Sequence, residues 1–211
     1  MTEYLPNLPQ VEGVYKFNEP LKKYTWLNVG GPAEVMFFPK NAEDLQNFLQ
    51  HKPQNLPVFI LGSGSNLLVR DGGIKGVVIK LSASDFAEWN ISGNLLSLGC
   101  GFKNAALKNI LLQNEIGSLE FICSIPGSIG GLVRSNAGCF GGELSQVLQK
   151  AEVIDGAGRI FEVPAADFHF SYRSSDFPQD WIVLRLYLKI IHSPQAQIAD
   201  IIAKNASYRL E

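Results

Sequence analysis

Val58-Phe-Ile-Leu-Gly-Ser-Gly-Ser-Asn66 is the stretch on which the reading of this chain turns. Pro57 to Leu61 is a short apolar run bounded by turn residues, the mark of a buried strand. It leads directly into two glycines and two serines. A loop of that composition packs successive backbone N–H groups together with no Cβ in the way, which is how a nest for phosphate oxygens is built. A tight strand-to-strand turn explains the same residues, and on this stretch alone both readings stand. The dinucleotide fingerprint of a doubly wound fold is not met. Its third glycine would fall where Leu67 stands, and Leu67 to Arg70 reads as extended where that fold needs a helix. Asp85 sits near the place of a ribose-binding acid, but at loose spacing.

Outward from this loop, residues 34–39 read as a strand. Asn41 caps a helix to about His51 that carries two acids in its first turn and an apolar stripe of Leu45, Phe48 and Leu49. With Gly76 to Lys80 as a further strand, the first part reads β-α-β-β. Residues 86–99 suggest a hairpin turning at Asn90 to Asn94, 103–113 a helix, 151–163 a hairpin turning at Asp155-Gly156, and 181–191 a long strand with Arg185 and Lys189 on its wetter face. Ser193-Pro194 opens a last helix, about 195–208, with a stripe of Ile198, Ile201 and Ile202 that either docks on the chain's own core or begins a further domain. Leu210-Glu211 fit the remnant of a removed tag. The one plausible division lies between residues 70 and 85.

The second glycine cluster runs from Ser124 to Gly142. Pro126-Gly127-Ser128 reads as a helix opening whose free N–H groups point outward, and Gly130-Gly131 would let a planar group approach closely. Six glycines exceed what one bend requires, and two such clusters about 65 residues apart suit a ligand with a diphosphate and a ring system. In Phe168-His-Phe-Ser-Tyr-Arg-Ser-Ser-Asp-Phe177, Arg173 stands among aromatics. It either pairs with Asp176, the better reading of the residues alone, or awaits an anionic ligand. His169 reads as a packed histidine.

Charge excludes other classes. Lysine and arginine number 18 against 20 acids, a net charge of −2 with no run of one sign. Neither nucleic acid nor an anionic membrane is an expected partner. There is no secretory leader in Met1 to Gln10 and no apolar run long enough to span a bilayer. Cys100, Cys123 and Cys139 fit reduced thiols in a cytoplasmic protein and not a disulfide framework or a metal site. No nucleophile elbow, triphosphate loop or metal-spaced His/Cys pair is present.

Five ordered stretches together resemble one family, the MurB-type UDP-N-acetylenolpyruvoylglucosamine reductases: Thr25-Trp-Leu-Asn-Val-Gly-Gly-Pro-Ala33, Leu61-Gly-Ser-Gly-Ser-Asn-Leu-Leu-Val69 with Asp71-Gly-Gly, Ile125-Pro-Gly-Ser-Ile-Gly-Gly131, Asn136-Ala-Gly-Cys-Phe-Gly-Gly142 and Ser171-Tyr-Arg-Ser-Ser-Asp-Phe177. The resemblance implies an α+β, two-subdomain, vanillyl-alcohol-oxidase-like (PCMH-type) FAD-binding fold. Its parts would be residues 1–78, residues 79–192, and 193–211 as a linker helix or the start of a substrate domain. It implies tight, non-covalent FAD on Gly62, Ser63, Gly64, Ser65, Asn66 and Leu67 and on Ile125, Pro126, Gly127, Ser128, Gly130, Gly131, Asn136, Ala137, Gly138 and Gly141. It implies NADPH as reductant of the flavin and a UDP-sugar enolpyruvate as substrate, held by Tyr172, Arg173 and Ser175, with Arg173 catalytic. That activity belongs to peptidoglycan precursor synthesis and so to bacterial cell-wall biogenesis, cell shape and division, in a cytoplasmic monomer. The alternatives are an FAD-linked oxidase of the same superfamily and a non-catalytic flavin-binding module.

The chain departs from the family pattern in four respects. The proton-donating serine segment Gly-Ser-x-Phe-Lys-Asn-Pro and the late catalytic glutamate are not among the 211 residues, so poor turnover is expected of this chain. Ser124 stands where glycine is common, Arg134 where an apolar residue is usual, and Cys139-Phe140 where Ala-Tyr is usual.

Overall fold

The structure is a computed structural model and describes residues 7–208. Met1 to Pro6 and Arg209 to Glu211 lie outside the described residues, and with them most of the N-terminal stretch read as lacking a leader and the Leu210-Glu211 remnant.

Strands β1 (Val14–Pro20) and β2 (Pro32–Phe38), helix α1 (Ala42–His51), and strands β3 (Val58–Ile60) and β4 (Ile74–Ile79) make the first layer. The sheet order is β1-β2-β4-β3, antiparallel between β1 and β2 and parallel across β2, β4 and β3. A parallel neighbour demands a crossover, and α1 supplies it between β2 and β3. The Asn41 side chain caps α1 by accepting from the Asp44 N–H at 2.9 Å. The buried Asp44 carboxylate in turn accepts from the N–H groups of Glu12, Gly13 and Lys40 and so holds the N-terminal stretch on the helix start. Leu45, Phe48 and Leu49 are buried as the stripe predicts, and the Phe48 ring lies 4.9 Å from that of Phe37. Each such side chain contributes roughly 1.5–3 kcal/mol by leaving water.

The second sheet is antiparallel. It uses β5 (Trp89–Ser92), β6 (Leu95–Gly99), β10 (Leu148–Ile154), β11 (Ile160–Pro164) and β12 (Ile182–Lys189), in the order β11-β10-β12-β6-β5. Between β6 and β10 the chain runs through α2 (Leu107–Gln113), β7 (Ile116–Gly117), α3 (Glu120–Cys123), the short ribbon β8 (Gly138–Cys139) with β9 (Gly142–Glu143), and α4 (Leu144–Val147). The strand read over 181–191 splits. After Lys189 it leaves the sheet, and β13 (Ile191–His192) pairs with β7 instead. Helix α5 (Gln195–Ser207) packs on α2 and α3 with Ile198 and Ile202 buried and Ile201 half-buried, so it docks on the chain's own core.

Both sheets feed one core, in which Phe37, Val77 and Ile79 join Leu96, Leu98, Leu186 and Leu188. The Gln46 side chain of α1 also donates to the Gly158 carbonyl in the β10–β11 turn at 2.7 Å. The carboxyl ends of β3 and β4 therefore open toward the segment between α3 and β8, the usual place for a ligand in a parallel arrangement.

Candidate functional site

The loop after β3 is held away from β4 by what lies beneath it. Gly64 has a φ of +67°, and an added Cβ there would lie 1.9 Å from the Tyr24 carbonyl oxygen. The Gly64 carbonyl accepts from the Trp26 N–H at 3.1 Å. Residues 24–26 are thus a shelf that fits only glycine. Among the described residues the backbone N–H groups of residues 62–66 donate to no protein acceptor. Five consecutive backbone donors without a protein acceptor at a concave surface fit an anion.

The second glycine cluster meets this loop directly. The Ser65 hydroxyl donates to the Pro126 carbonyl at 2.9 Å across 61 positions. Gly127, at φ +138°, leaves the backbone room beside Ser65 and Asn104. Its carbonyl accepts from the Asn104 N–H at 3.2 Å, and the Asn104 amide donates to the Ile125 carbonyl at 3.0 Å. Asn104 is fully buried and its Oδ1 has no partner, an acceptor held at the groove wall. An unpaired buried polar atom costs about 1–3 kcal/mol, which a donor on a ligand would recover.

Two connected cavities result. The larger, about 570 Å³, runs between residues 59–67 and 125–139. The smaller, about 200 Å³ and more enclosed, lies between the ends of β3 and β4, the Cys100–Lys103 turn and residues 177–183. Both share Gly62 and Ser63 on one side and Ser128, Gly131 and Arg134 on the other, so these residues form a neck. Together the cavities have the size of a small-molecule site. Their lining contains Lys80, Lys103, Arg134 and Arg173 and no acid, although the whole chain carries a net charge of −2.

Lys80 Nζ donates to the Gly62 carbonyl at 2.7 Å and Lys103 Nζ to the Ser63 hydroxyl at 3.0 Å. Burial, with the neighbouring Lys103 charge, pushes the Lys80 ammonium down to about 8. Burial also pushes the thiols of Cys100 and Cys123 up to about 12, so neither is poised as a nucleophile.

Of the residues expected on the cofactor, Gly62 to Leu67, Ile125 to Ser128, Gly131, Ala137 and Gly138 all line the larger cavity. Gly130 lines only the enclosed one, and its missing Cβ makes room for Cys100. Asn136 is buried with both ends of its amide engaged, accepting from the Ser145 N–H and donating to the Ser171 carbonyl. It borders a shallow side pocket of about 300 Å³ together with Gly141, Tyr172 and Arg173. Arg173 touches both this pocket and the groove. It sits at φ +55° in a turn closed by two hydrogen bonds between Ser171 and Ser174. Tyr172 is 86% exposed, while Ser175 lines neither cavity and keeps a buried hydroxyl without a partner.

Three expectations are corrected. Arg173 does not pair with Asp176, because Asp176 bonds the backbone and ring of His169. That leaves Arg173 with no ion pair among the described residues. His169 is not packed: its side chain is 82% exposed. Pro126-Gly127-Ser128 opens no α-helix, only the four-residue 3-10 turn Ile129–Leu132, whose Ile129, Gly130 and Gly131 N–H groups donate to the carbonyls of Phe102, Cys100 and Ser128, so no helix dipole or row of free turn donors faces the groove. The sequence reading missed Lys80, Lys103 and Asn104 altogether. It noted Arg134 only as a departure.

A family model described as FAD binding domain matches residues 33–164. The UDP-N-acetylenolpyruvoylglucosamine reductase of Bradyrhizobium sp. (strain ORS 278) is 42% identical over 168 residues, 80% of this chain and 55% of that protein. Its counterpart in Paramagnetospirillum magneticum is 39% identical over 204 residues, 97% of this chain and 66% of that protein. The crystal structure of UDP-N-acetylenolpyruvylglucosamine reductase (MurB) from Thermus caldophilus superposes with a TM-score of 0.81 at 30% identity, over 95% of this chain and 70% of that one. Physcomitrella patens BBE-like 1 shares the fold alone, with a TM-score of 0.63 at 15% identity over 86% of this chain and 42% of that one. The chain spans 55–66% of the length of these two sequence relatives. The fold is accordingly the α+β, PCMH-type FAD-binding fold, and the chain belongs to the FAD binding domain family and, within it, to the UDP-N-acetylenolpyruvoylglucosamine reductases.

Proposed function

We propose that this chain is the FAD-holding part of an enzyme that reduces UDP-N-acetylglucosamine enolpyruvate to UDP-N-acetylmuramate with NADPH. The observation that carries this is the acid-free, four-cation double cavity whose neck is a loop of unpaired N–H groups. The enclosed cavity would hold the adenosine of FAD, the neck at Gly62 and Ser63 its diphosphate, and the groove beside Asn104 and residues 125–138 its flavin ring. Held by these residues, such a cofactor would supply two-electron chemistry between NADPH and the enolpyruvyl double bond.

The chain's own residues bind and orient. Arg173, at the junction of groove and side pocket, offers a forked, always-charged donor for the substrate carboxylate, where a preorganised cation stabilises growing negative charge. Asn136 donates to the Ser171 carbonyl of its turn and so holds a left-handed arginine, a conformation that costs about 1–3 kcal/mol, where groove and side pocket meet. Tyr172 beside it is the wall of the side pocket. The residues present are proposed to load FAD. We further place the chain in the bacterial cytoplasm as a monomer, with residues 1–78 and 79–192 as its two FAD-binding subdomains.

The test is the visible spectrum of the purified chain, titrated with FAD and then with NADPH under anaerobic conditions. A shifted flavin band that bleaches with NADPH is expected, and Arg173→Ala should leave the band unchanged. A protein that stays colourless in excess FAD overturns the reading. Rapid reoxidation by air without the UDP-sugar would favour an oxidase instead.

A further inference from the structure

If the cofactor lies as proposed, its diphosphate passes the neck, where the two cavities share Ile60 to Ser63, Ser128, Gly131 and Arg134. The residue-62–66 loop supplies one face of that neck with neutral N–H groups. A diphosphate carries two negative charges, and neutral donors leave them uncompensated. Two cations without a salt bridge among the described residues stand on either side, although the Asp180 charge acts on Arg134. Arg134 lines both cavities, with Nη2 donating to the carbonyls of Gln179 and Trp181 at 3.0 and 3.1 Å and its guanidinium 5.0 Å over the Phe177 ring. Those contacts fix the guanidinium plane while satisfying only one of its three nitrogens. Opposite, Lys103 is held at Ser63 by its hydroxyl.

We propose that Arg134 and Lys103 form a cationic collar around the neck that grips the dinucleotide diphosphate from both sides. The proposal rests on the FAD reading and adds to it two residues that do the electrostatic part of binding. Arg134 matters most here, since it lines both cavities. Its anchoring to Gln179 and Trp181 means the collar closes only when residues 125–139 and 177–183 are both in place, so the phosphate grip is coupled to the packing of the second sheet.

The experiment is FAD titration of the whole chain, followed by fluorescence quenching, for wild type, Arg134→Gln, Arg134→Lys and Lys103→Gln between 20 mM and 1 M KCl. Arg134→Gln and Lys103→Gln should each weaken FAD roughly tenfold at low salt, the worth of one charge-assisted contact. The deficit should shrink to within about threefold at 1 M, where the screening length is about 3 Å. Arg134→Lys should restore most of the low-salt affinity. ADP, used as a competitor, should show the same pattern. A deficit that is the same at both salt concentrations means Arg134 only braces the backbone, and it overturns the collar, as does unchanged affinity in both glutamine variants. Should Arg134→Gln fail to fold, Lys103→Gln decides the question alone, because its amine bonds only a serine hydroxyl. A wild-type chain that binds no FAD at all overturns the cofactor reading itself, a result distinct from wild-type binding with unaffected variants.

Discussion

Gly131 separates ligand space from protein space. An ideal Cβ built there meets no protein atom within 4 Å, its φ is not left-handed, and the residue lines both cavities at the neck. Gly131→Ala therefore adds a carbon to a position the protein leaves open. Removing glycine's freedom in the unfolded chain should stabilise the apo-protein by about 0.4–1 kcal/mol. For a chain of this length that is a rise in Tm of roughly 1–4 °C. The same carbon occupies volume a bound dinucleotide needs, and FAD affinity should fall at least tenfold, about 1.4 kcal/mol. Gly131→Val should lower it further. Gly72, whose added Cβ also meets nothing within 4 Å but which lines neither cavity, is the control, and Gly72→Ala should leave affinity unchanged. Differential scanning fluorimetry without ligand and FAD titration of the same preparations give both quantities. A Tm lowered by several degrees, or an FAD affinity equal to wild type, would refute the placement of Gly131 on the cofactor path.

Three other outcomes follow from particular contacts. Gly64→Ala should lower both Tm and FAD affinity, because the new Cβ must move about 1.5 Å from its 1.9 Å approach to the Tyr24 carbonyl before ordinary contact is reached, carrying the phosphate loop with it. Unchanged binding in a folded variant would refute this. Lys80 titrates near 8 in the fold and near 10.5 when unfolded, so the unfolded chain binds more protons between those values and stability should rise with pH across that window. Urea midpoints of wild type minus Lys80→Met from pH 7.5 to 10.5 should show that rise, and a flat difference would contradict it. Asp155→Ala should cost about 2 kcal/mol by denaturant melt, since the buried carboxylate accepts from the N–H groups of Ala157 and Arg159 and from the Arg159 side chain. Burial alone would raise this carboxyl, and its bonds to Arg159 and Ala157 hold it below the usual range instead. The stability it confers is thus present at neutral pH and lost as pH falls through its folded value, and an acid limb identical in the variant would sink this account.

What the sequence discloses and what it hides follow from distance along the chain. The strand before Gly62, the Asn41 cap and the Leu45–Phe48–Leu49 stripe are local, and each is legible because one segment's pattern suffices to produce it. The Asp155-Gly156 turn is legible too, though Asp155 closes it as a longer loop to Arg159. Strand β1 is not legible. It is an edge strand with a mostly wet face, and Asn18 at φ +53° breaks its pairing with β2. The pairing of Arg173 with Asp176 is the natural local inference, yet His169 takes that carboxylate from seven positions away. The lysines are hidden for a different reason. Lys80 follows a strand of the first sheet and Lys103 follows a strand of the second, and only the packing of the two sheets brings them to one loop. Arg134 stands out in the sequence as an oddity. Its use becomes visible only with Phe177 and the carbonyls beyond it.

The unpaired amides of residues 62–66 have a consequence for how occupancy can be followed. With no protein acceptor, their hydrogens should exchange with solvent on the fast timescale of a frayed loop, even though the flanking amide of Leu61 is locked to the Ile79 carbonyl at 2.8 Å. A bound phosphate would supply those acceptors and slow the exchange of these five positions together. Deuterium uptake by a single short peptide covering them therefore reads the loading of the site directly, whether or not the bound molecule absorbs visible light.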